Sequence, residues 1–375
     1  MVLSEVQNSI RDAVRSFAQE QIRPHSAAYE AAGAYPNDLF RKIAALGLMG
    51  MTAPEQVGGT GTDYVSYALA LMEIAAADGA LSTIVLIQNS LLVSGIVRFG
   101  SEDQKARFLP SLINGTMIGA FALTEPDAGS DASAIRTRAI RVTGGWTITG
   151  TKQFITSGQI AGIAMVFAVT DPSAGKNGIS GFLIPTDTPG YSVDKVEQKM
   201  GQRASDTCAL RFDNMFVDDA LLFGSEGGGY RLALSNLEAG RIGVAAQCVG
   251  MAQAALEIAV GYAKERRSMG KSIIEHQAVG FRLADLAAKL EAARQLVLHA
   301  ASLKDADVPC LVQASMAKLI ASETAEMVCS GAIQTLGGYG YLEESGVTKI
   351  YRDVRVCQIY EGTSDIQRMV IARAL

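Results

Sequence analysis

The last eighteen residues, QIYEGTSDIQRMVIARAL, hold the stretch in which residue types and spacing most clearly suggest a reaction. Glu361 stands between Tyr360 and Gly362, in a short turn before an apolar helical pattern. A carboxylate works as a general base when a dry, apolar site raises its pKa and so makes it a stronger base. The simplest structural interpretation is different: Glu361 caps the last helix, because acidic side chains are common near helix N-termini. The residues alone leave both roles open.

Other familiar kinds of catalytic or nucleotide-binding site have no sequence pattern here. The three histidines, His25, His276 and His299, lack the HExxH or paired spacing of a metal site. There is no GxSxG nucleophile elbow. Several glycine clusters, including Gly337-Gly338-Tyr339-Gly340, match neither GxGxxG after a strand nor GxxxxGK[ST]. The sequence therefore argues against a metal centre, a serine hydrolase and a Rossmann or P-loop nucleotide site.

Composition narrows the possible partners and compartment. The chain has 375 residues, of which 49% are apolar and 19% charged, with a net charge of -5, so nucleic acid or an anionic membrane is not its expected main partner. Its 5 cysteines form no CxxC pair, which favours a reducing compartment over a disulfide framework. The polar N-terminus resembles neither a secretory signal nor a transit peptide. We therefore expect a cytoplasmic protein.

The elements that must position Glu361 follow the order helices, strands, helices. Helical spacing dominates residues 1–117, short β-like runs fill 118–222, and three long Ala/Leu/Ile-rich helices dominate 223–375. We predict domain boundaries at those positions. The apolar stretch from Leu81 to Phe99 is interrupted by polar residues at 88–90, so we expect a buried helix and not a membrane span.

The string GVAAQCVGMAQAALEIAVGYA, within the first long C-terminal helix, is apolar on nearly all sides. Such a helix is buried all round. We favour the core of a helical bundle, with an interface between subunits as the alternative.

Four strings, in order along the chain, resemble motifs of the acyl-CoA dehydrogenase family. They are LTEPDAGSD at 123–131, MGQRASDT at 200–207, QTLGGYG at 334–340, and YRDV followed by IYEGTS at 351–364. The resemblance covers essentially the whole chain. It implies a mostly α fold: an N-terminal helical domain, a middle β-barrel-like domain and a C-terminal four-helix bundle. It also implies an FAD-dependent enzyme that is usually a tetramer.

The resemblance gives Glu361 the role of catalytic base. Family members remove a proton from Cα of an acyl-CoA thioester and pass a hydride from Cβ to flavin N5, which forms a trans-2-enoyl-CoA. Negative charge then develops on the thioester oxygen and needs hydrogen-bond donors. By resemblance these are the backbone N–H of Glu361 and a ribityl hydroxyl of the flavin, with Gly362 packed close to the substrate.

In isovaleryl- and long-chain-type branches of the family, the base instead lies on a bundle helix, immediately before an arginine that matches Arg241. That position is Gly240 here, which cannot act as a base, so those branches are disfavoured. Glu238 is two residues away from Gly240 and is expected to contact the CoA chain. Arg241 lies inside an apolar helix and needs a partner, either a ligand or active-site acid or a structural ion pair. The string RIGVAAQ from Arg241 most resembles short-chain and short-branched-chain members.

The family's cofactor contacts carry over to positions in three parts of the chain. Residues of the middle domain would contact the flavin: Phe121, Leu123, Thr124, Ser130, Phe154, Ile155 and Thr156. Ser130 would also touch substrate, and Thr363 and Ser364 would contact FAD. The shared structural alternative for the middle-domain strings is a hairpin that needs turn residues. Two positions depart from the family pattern, because Phe154 replaces a tryptophan and Asp127 replaces a glycine.

A second group is implied to reach the FAD of a neighbouring subunit. In the family, the arginine matching Arg266 grips the FAD pyrophosphate, which suits a guanidinium fork. Gln277, Gln334, Gly337 and Gly338 complete that group. The structural alternative for Arg266 is a solvated helix end.

The resemblance predicts a homotetramer that passes electrons to an electron-transferring flavoprotein, in fatty acid or branched-chain amino acid catabolism. Two alternatives remain open: a flavin-dependent acyl-CoA oxidase on the same fold, and a catalytically silent scaffold or assembly subunit. A nitroalkane-oxidising relative would carry aspartate at the base position, and Glu361 argues against it.

Overall fold

The order of helices, strands and helices is confirmed in the computed structural model, which describes residues 1–375 apart from the side chains of residues 236 and 237. The fold is mostly helical with a central mixed sheet, as the resemblance predicts. A buried apolar core runs through all three regions.

The N-terminal region contains seven α-helices: α1 Glu5–Phe17, α2 Ser26–Ala32, α3 Asn37–Ala45, α4 Tyr64–Ala77, α5 Gly79–Ile87, α6 Ser94–Phe99 and α7 Glu102–Ile113. A π-helical segment, Gln88–Val93, joins α5 to α6. Its polar side chains are buried but paired, since Asn89 accepts from the backbone N–H of Met51 at 2.7 Å and Gln88 donates to the carbonyl of Leu112 at 2.8 Å. These polar residues therefore interrupt the apolar run without leaving buried groups unsatisfied.

The middle region forms one eight-stranded sheet with the order β6-β7-β3-β2-β4-β5-β8, and β1 pairs with β4. Its strands are β1 Gly119–Ala122, β2 Arg138–Val142, β3 Gly145–Thr156, β4 Ile163–Val169, β5 Ile179–Pro185, β6 Tyr191–Val196, β7 Thr207–Asp218 and β8 Leu222–Phe223. Strands β2 and β3 form the antiparallel hairpin that the glycine turn at 143–145 indicates. The carboxyl ends of β1 and β3 carry the two strings expected at the flavin.

The C-terminal region consists of three long helices and two short ones: α8 Gly229–Glu265, α9 Gln277–Asp305, α10 Leu311–Leu336, α11 Val347–Val354 and α12 Ser364–Ala372. Strands β9 Arg267–Ser268 and β10 Lys271–Ser272 form a small hairpin after α8. Helix α10 packs against α8, α9, α11 and α12, and α4 packs against α8. The N-terminal helices are thereby joined directly to the bundle.

Two helical segments, Gly79–Phe99 and Gly229–Glu265, are long and apolar enough to cross a membrane by length and composition alone. Their most apolar windows are 89% and 83% buried inside the fold. Both are core helices, as the polar interruptions predicted for the first of them.

Candidate active site

The turn that carries Glu361 has a strained backbone. Glu361 has φ of 54° and Gly362 has φ of 87°, so two successive residues adopt the left-handed region, which is uncommon for a residue other than glycine. Three hydrogen bonds hold the turn. Lys318 Nζ donates to the carbonyl of Gly362 at 2.7 Å, and Gln367 Nε2 donates to the carbonyls of Gly362 and Glu361 at 2.8 and 3.2 Å. The turn's shape is therefore fixed by side chains from α10 and α12.

Glu361 does not cap the last helix. Thr363 has that role, because its hydroxyl accepts from the backbone N–H of Ile366 at 3.3 Å. The structural alternative for Glu361 is thus wrong, and its carboxylate is left for another purpose.

The carboxylate of Glu361 lines a cavity of about 210 Å³ where the three regions meet. The cavity is lined by twenty residues: Thr83, Leu86, Ile87, Leu91, Phe121, Leu123, Thr124, Gly129, Ser130, Ala132, Phe154, Ile155, Thr156, Leu234, Arg241, Val244, Tyr360, Glu361, Gly362 and Ile366. All seven middle-domain residues expected at the flavin are in this set, together with Arg241 and Gly362. The structure therefore brings the expected flavin strings and the expected base to one place.

The electrostatics of Glu361 suit a base. Its Oε2 atom is buried and has no hydrogen-bond partner among the residues described. Burial raises the pKa of the carboxyl to about 7, and the positive charges of Arg241 and Lys318 oppose that rise. A carboxylate with a pKa near the operating pH can both take up and release a proton efficiently.

Gly240 lies directly against this carboxylate. A Cβ atom built on Gly240 would be 2.8 Å from Glu361 Oε2. A side chain at 240 would therefore displace the carboxylate from this position, and the glycine leaves room for it. The two positions that the family uses for its base are neighbours in space.

Arg241 is one helical position further and only 7% exposed. Its Nη1 donates to the hydroxyl of Ser315 at 3.2 Å, while its Nε has no partner within the part of the chain that the structure describes. Burial lowers the pKa of the guanidinium, and the nearby carboxylates of Glu361 and Glu238 oppose that effect. The positive charge of Arg241 therefore stabilises the ionised form of Glu361, and its Nε–H remains available as a hydrogen-bond donor.

The residues at this site that the sequence analysis missed include two buried polar side chains on the bundle helices. Lys318 is fully buried on α10, and Gln247 on α8 accepts a hydrogen bond from the hydroxyl of Tyr360. Gln247 Nε2 in turn donates to Thr83 Oγ1 at 2.6 Å and to the carbonyl of Gly79 at 2.8 Å. Each is a polar residue inside an apolar helix. The same pattern marks Arg241 as a candidate site residue, so it could also have identified Lys318 and Gln247.

The two flavin strings are tied together by a buried ion pair. Lys152 Nζ donates to Glu125 Oε1 at 2.8 Å and to the carbonyl of Leu123 at 3.1 Å. The backbone N–H of Gln153 donates to the carbonyl of Thr124 at 2.9 Å. Burial lowers the pKa of Lys152 to about 8, although Glu125 opposes this. The ends of β1 and β3 are therefore held side by side at the cavity.

The structure shows the environment of the two residues that depart from the family pattern, Phe154 and Asp127. Phe154 has φ of 59° and its side chain is 64% exposed beside the cavity, so it offers a bare aromatic face. Asp127 forms an exposed ion pair with Arg136 at 3.1 Å. The extra acid is therefore partly neutralised within its own loop.

The remaining predicted residues do not line the cavity. The carboxylate of Glu238 instead pairs with Lys304 at 2.7 Å. The five residues expected at a second subunit's FAD are exposed at one end of the bundle: Arg266, Gln277, Gln334, Gly337 and Gly338. They are near one another, because the ring of Tyr262, one turn before Arg266, packs 6.2 Å from the ring of Tyr339. Ser364 Oγ is buried without a partner among the described residues.

Sequence profiles of three domains match the chain. They are the N-terminal, middle and C-terminal domains of acyl-CoA dehydrogenase, over residues 4–116, 120–215 and 227–375. An acyl-CoA dehydrogenase of Bacillus subtilis is 45% identical over 375 residues, which cover 100% of this chain and 99% of that protein. The mitochondrial short-chain specific acyl-CoA dehydrogenase of Mus musculus is 42% identical over 370 residues, or 99% of this chain and 90% of that protein.

Two solved structures are similar over their whole length. Butyryl-CoA dehydrogenase from Megasphaera elsdenii has a TM-score of 0.97 and 40% identity, covering 100% of this chain and 99% of that one. A structure described as the electron transferring flavoprotein of Acidaminococcus fermentans, in work on flavin-based electron bifurcation, has a TM-score of 0.98 and 41% identity, covering 100% of this chain and 98% of that one.

Proposed function

The chain belongs to the acyl-CoA dehydrogenase family, and on that premise we propose that it oxidises short acyl-CoA thioesters to trans-2-enoyl-CoA with Glu361 as the catalytic base. The observation that carries the proposal is the carboxylate of Glu361, which is buried, lacks a protein hydrogen-bond partner in the described chain and lines the cavity formed by the flavin strings. Removal of the α-proton needs a carboxylate that is buried and not already engaged by a protein hydrogen-bond donor.

The family is FAD-dependent, and the residues present fit the cofactor. The exposed ring of Phe154 provides a flat apolar face at the cavity, and the buried hydroxyl of Ser364 lacks a partner among the described residues. We assign the ring contacts to Phe121, Leu123, Thr124, Ser130 and 154–156, and further contacts to Thr363 and Ser364. When bound, FAD supplies the acceptor for the hydride that leaves Cβ of the substrate.

Glu361 removes the α-proton of the thioester and holds it on its carboxylate. The site excludes water around that carboxylate, which raises its pKa and strengthens it as a base. The backbone N–H of Glu361 has no hydrogen-bond acceptor among the described residues, so it is free to donate to the thioester oxygen as negative charge develops there. Arg241 remains charged beside the base and lowers the cost of its ionised form.

The length of the acyl chain is limited along α8. Gly240 lies against the base. A Cβ atom on Gly243 would be 3.0 Å from Leu86 Cδ1 and 3.1 Å from Tyr67 Oη, so α4 and α5 pack closely against α8 there, and Leu86 also lines the cavity. Three helical residues advance about 4.5 Å along the axis. The distance between base and closure thus suits a short acyl chain.

The assembly and partners are part of the same proposal. We assign Arg266, Gln277, Gln334, Gly337 and Gly338 to the FAD of a second subunit, in a homotetramer. Glu238 is kept as a contact to the CoA chain. The electron acceptor is an electron-transferring flavoprotein, and the compartment is the cytoplasm. The three regions are domains that span residues 1–117, 118–222 and 223–375.

The test is a panel of straight and branched acyl-CoA substrates of increasing length with an artificial electron acceptor. We expect the highest kcat/KM at four to five carbons, by the spacing of about 4.5 Å between Gly240 and the closure. A preference for long chains would contradict the substrate class. Stoichiometric peroxide without the acceptor would instead indicate an oxidase, and a colourless protein that takes up no FAD would indicate a scaffold.

A further inference from the structure

We infer that Lys318 and Gln367 are positioning residues that hold the backbone of the turn at Glu361 and Gly362 and so keep the Glu361 carboxylate against the substrate's Cα. The inference rests on the proposed role of Glu361 as the base. The clamp is defined by the three hydrogen bonds from these two side chains to the carbonyl oxygens of Glu361 and Gly362.

The turn needs such a clamp because its backbone is strained. A residue other than glycine is strained in the left-handed region and stays there only when its surroundings enforce that conformation. Here both carbonyls of the strained pair accept hydrogen bonds from fully buried side chains. The nearest neighbour of a Cβ atom at Gly362 would be Gln367 Nε2 at 2.8 Å. The amide therefore fills the space under the turn and leaves room only for glycine at 362.

Lys318 is an expensive residue at this position. Its side chain has 0% exposure, and its ammonium group donates to a backbone carbonyl and not to a carboxylate. Burying an ammonium group without a paired charge is strongly unfavourable. Its hydrogen bond in the structure goes to the Gly362 carbonyl. Because the charged group of Lys318 contacts the backbone of this turn, we assign the residue the role of holding the turn in place.

The charge of Lys318 also reaches the base. The ionisable groups around Glu361 are Arg241 from α8, Lys318 from α10 and Tyr67 from α4. Tyr360 in the turn itself is a neutral group, because burial raises the pKa of its hydroxyl, and the thiol of Cys357 lies beside that hydroxyl. Only the arginine and the lysine carry charge that favours the carboxylate form. The two clamp residues are thus separable, since one acts by geometry and charge and the other by geometry alone.

The experiment compares Lys318→Met and Gln367→Met as FAD-loaded enzymes. The substrate is an analogue of butyryl-CoA with sulfur in place of Cβ, which has no β-hydride to transfer. The base can still remove its α-proton, and solvent deuterium replaces it. NMR follows this exchange against pH, so the readout reports proton removal apart from redox turnover.

Gln367→Met is expected to lower the maximal exchange rate about 10-fold, the cost of a misplaced general base, while the midpoint of its pH profile stays unchanged. Lys318→Met is expected to lower the rate similarly and to move the midpoint upward by about half a unit or more, because a nearby positive charge is lost. Lys318→Arg should restore the midpoint. Gln358→Met, a glutamine near the turn that bonds Glu326, serves as the matched control and should exchange as wild type.

Glu361→Gln is measured in parallel to distinguish a failure of the clamp inference from a failure of the proposed base. If it abolishes exchange while both clamp variants keep the wild-type rate and midpoint, the clamp inference is wrong and the base assignment stands. If Glu361→Gln exchanges as wild type, the proposed function fails and the inference with it. Should Lys318→Met not fold, an unchanged rate in Gln367→Met alone overturns the clamp.

Discussion

Replacing Glu361 by glutamine is expected to stabilise the folded enzyme at alkaline pH and to have little such effect in acid. Burial raises the pKa of this carboxyl from an ordinary value of 4.5 to about 7. The folded chain therefore binds the proton more tightly than the unfolded chain does. The stability that comes from this proton is fully present below about pH 4.5 and is lost as pH rises to about 7.

The size of the effect follows from the shift. One pKa unit corresponds to about 1.4 kcal/mol, so a shift of roughly 2.5 units costs the wild-type fold about 3 kcal/mol above pH 7. Glutamine keeps the shape of the side chain and never ionises. For a chain of this length, about 3 kcal/mol corresponds to a change of roughly 4 °C in Tm.

The assay is thermal unfolding of wild type and Glu361→Gln from pH 5 to pH 8.5, with the same excess of FAD. The difference in Tm, variant minus wild type, should grow by roughly 3 °C across that range, because part of the effect is already present at pH 5. Aspartate or glutamate residues elsewhere affect both proteins equally and cancel. A difference that stays constant with pH would show that Glu361 ionises as an exposed carboxyl does, which would refute the dry site.

Three further changes test other parts of the account. Arg266→Ala should lower FAD occupancy and weaken the oligomer together, whereas Arg267→Ala, its neighbour in the hairpin, should do neither; normal FAD content in a stable monomer would rule out a cross-subunit role. Leu86→Ala should raise kcat/KM for hexanoyl-CoA relative to butyryl-CoA by roughly 10-fold, since two more methylenes find apolar contact at about 0.8 kcal/mol each; an unchanged ratio would place the chain's end elsewhere. Glu361→Gly with Gly240→Glu should recover part of the rate that Glu361→Gly alone loses, because the two positions adjoin, and no recovery would count against that geometry.

The long helices could be predicted from the sequence because their signals are local. Apolar periodicity predicts three long helices within 223–375, and the structure has them at 229–265, 277–305 and 311–336. The hairpin of β2 and β3 was visible from its glycine turn. Periodicity and turn residues act over a few positions, so one sequence suffices to find them.

Contacts between distant elements could not be predicted in this way. Lys318 and Gln367 lie 43 positions before and 6 positions after Glu361, and only the crossing of α10 and α12 shows that both reach the same turn. Lys152 appears in the sequence as an ordinary polar strand residue, yet it is buried against Glu125 and ties β3 to the loop after β1. The role of a charge inside a fold depends on its partner, and the sequence does not state which residue that is.

The central claim is that Glu361 removes the α-proton, and anaerobic single-turnover flavin reduction by butyryl-CoA tests it most directly. Wild type and Glu361→Gln are mixed with substrate at equal FAD content, and flavin absorbance is followed in time. Loss of a positioned general base should slow reduction in the variant by at least 10²–10⁴-fold, or roughly 3–5 kcal/mol, with substrate binding largely retained. Reduction of Glu361→Gln at close to the wild-type rate would contradict the account.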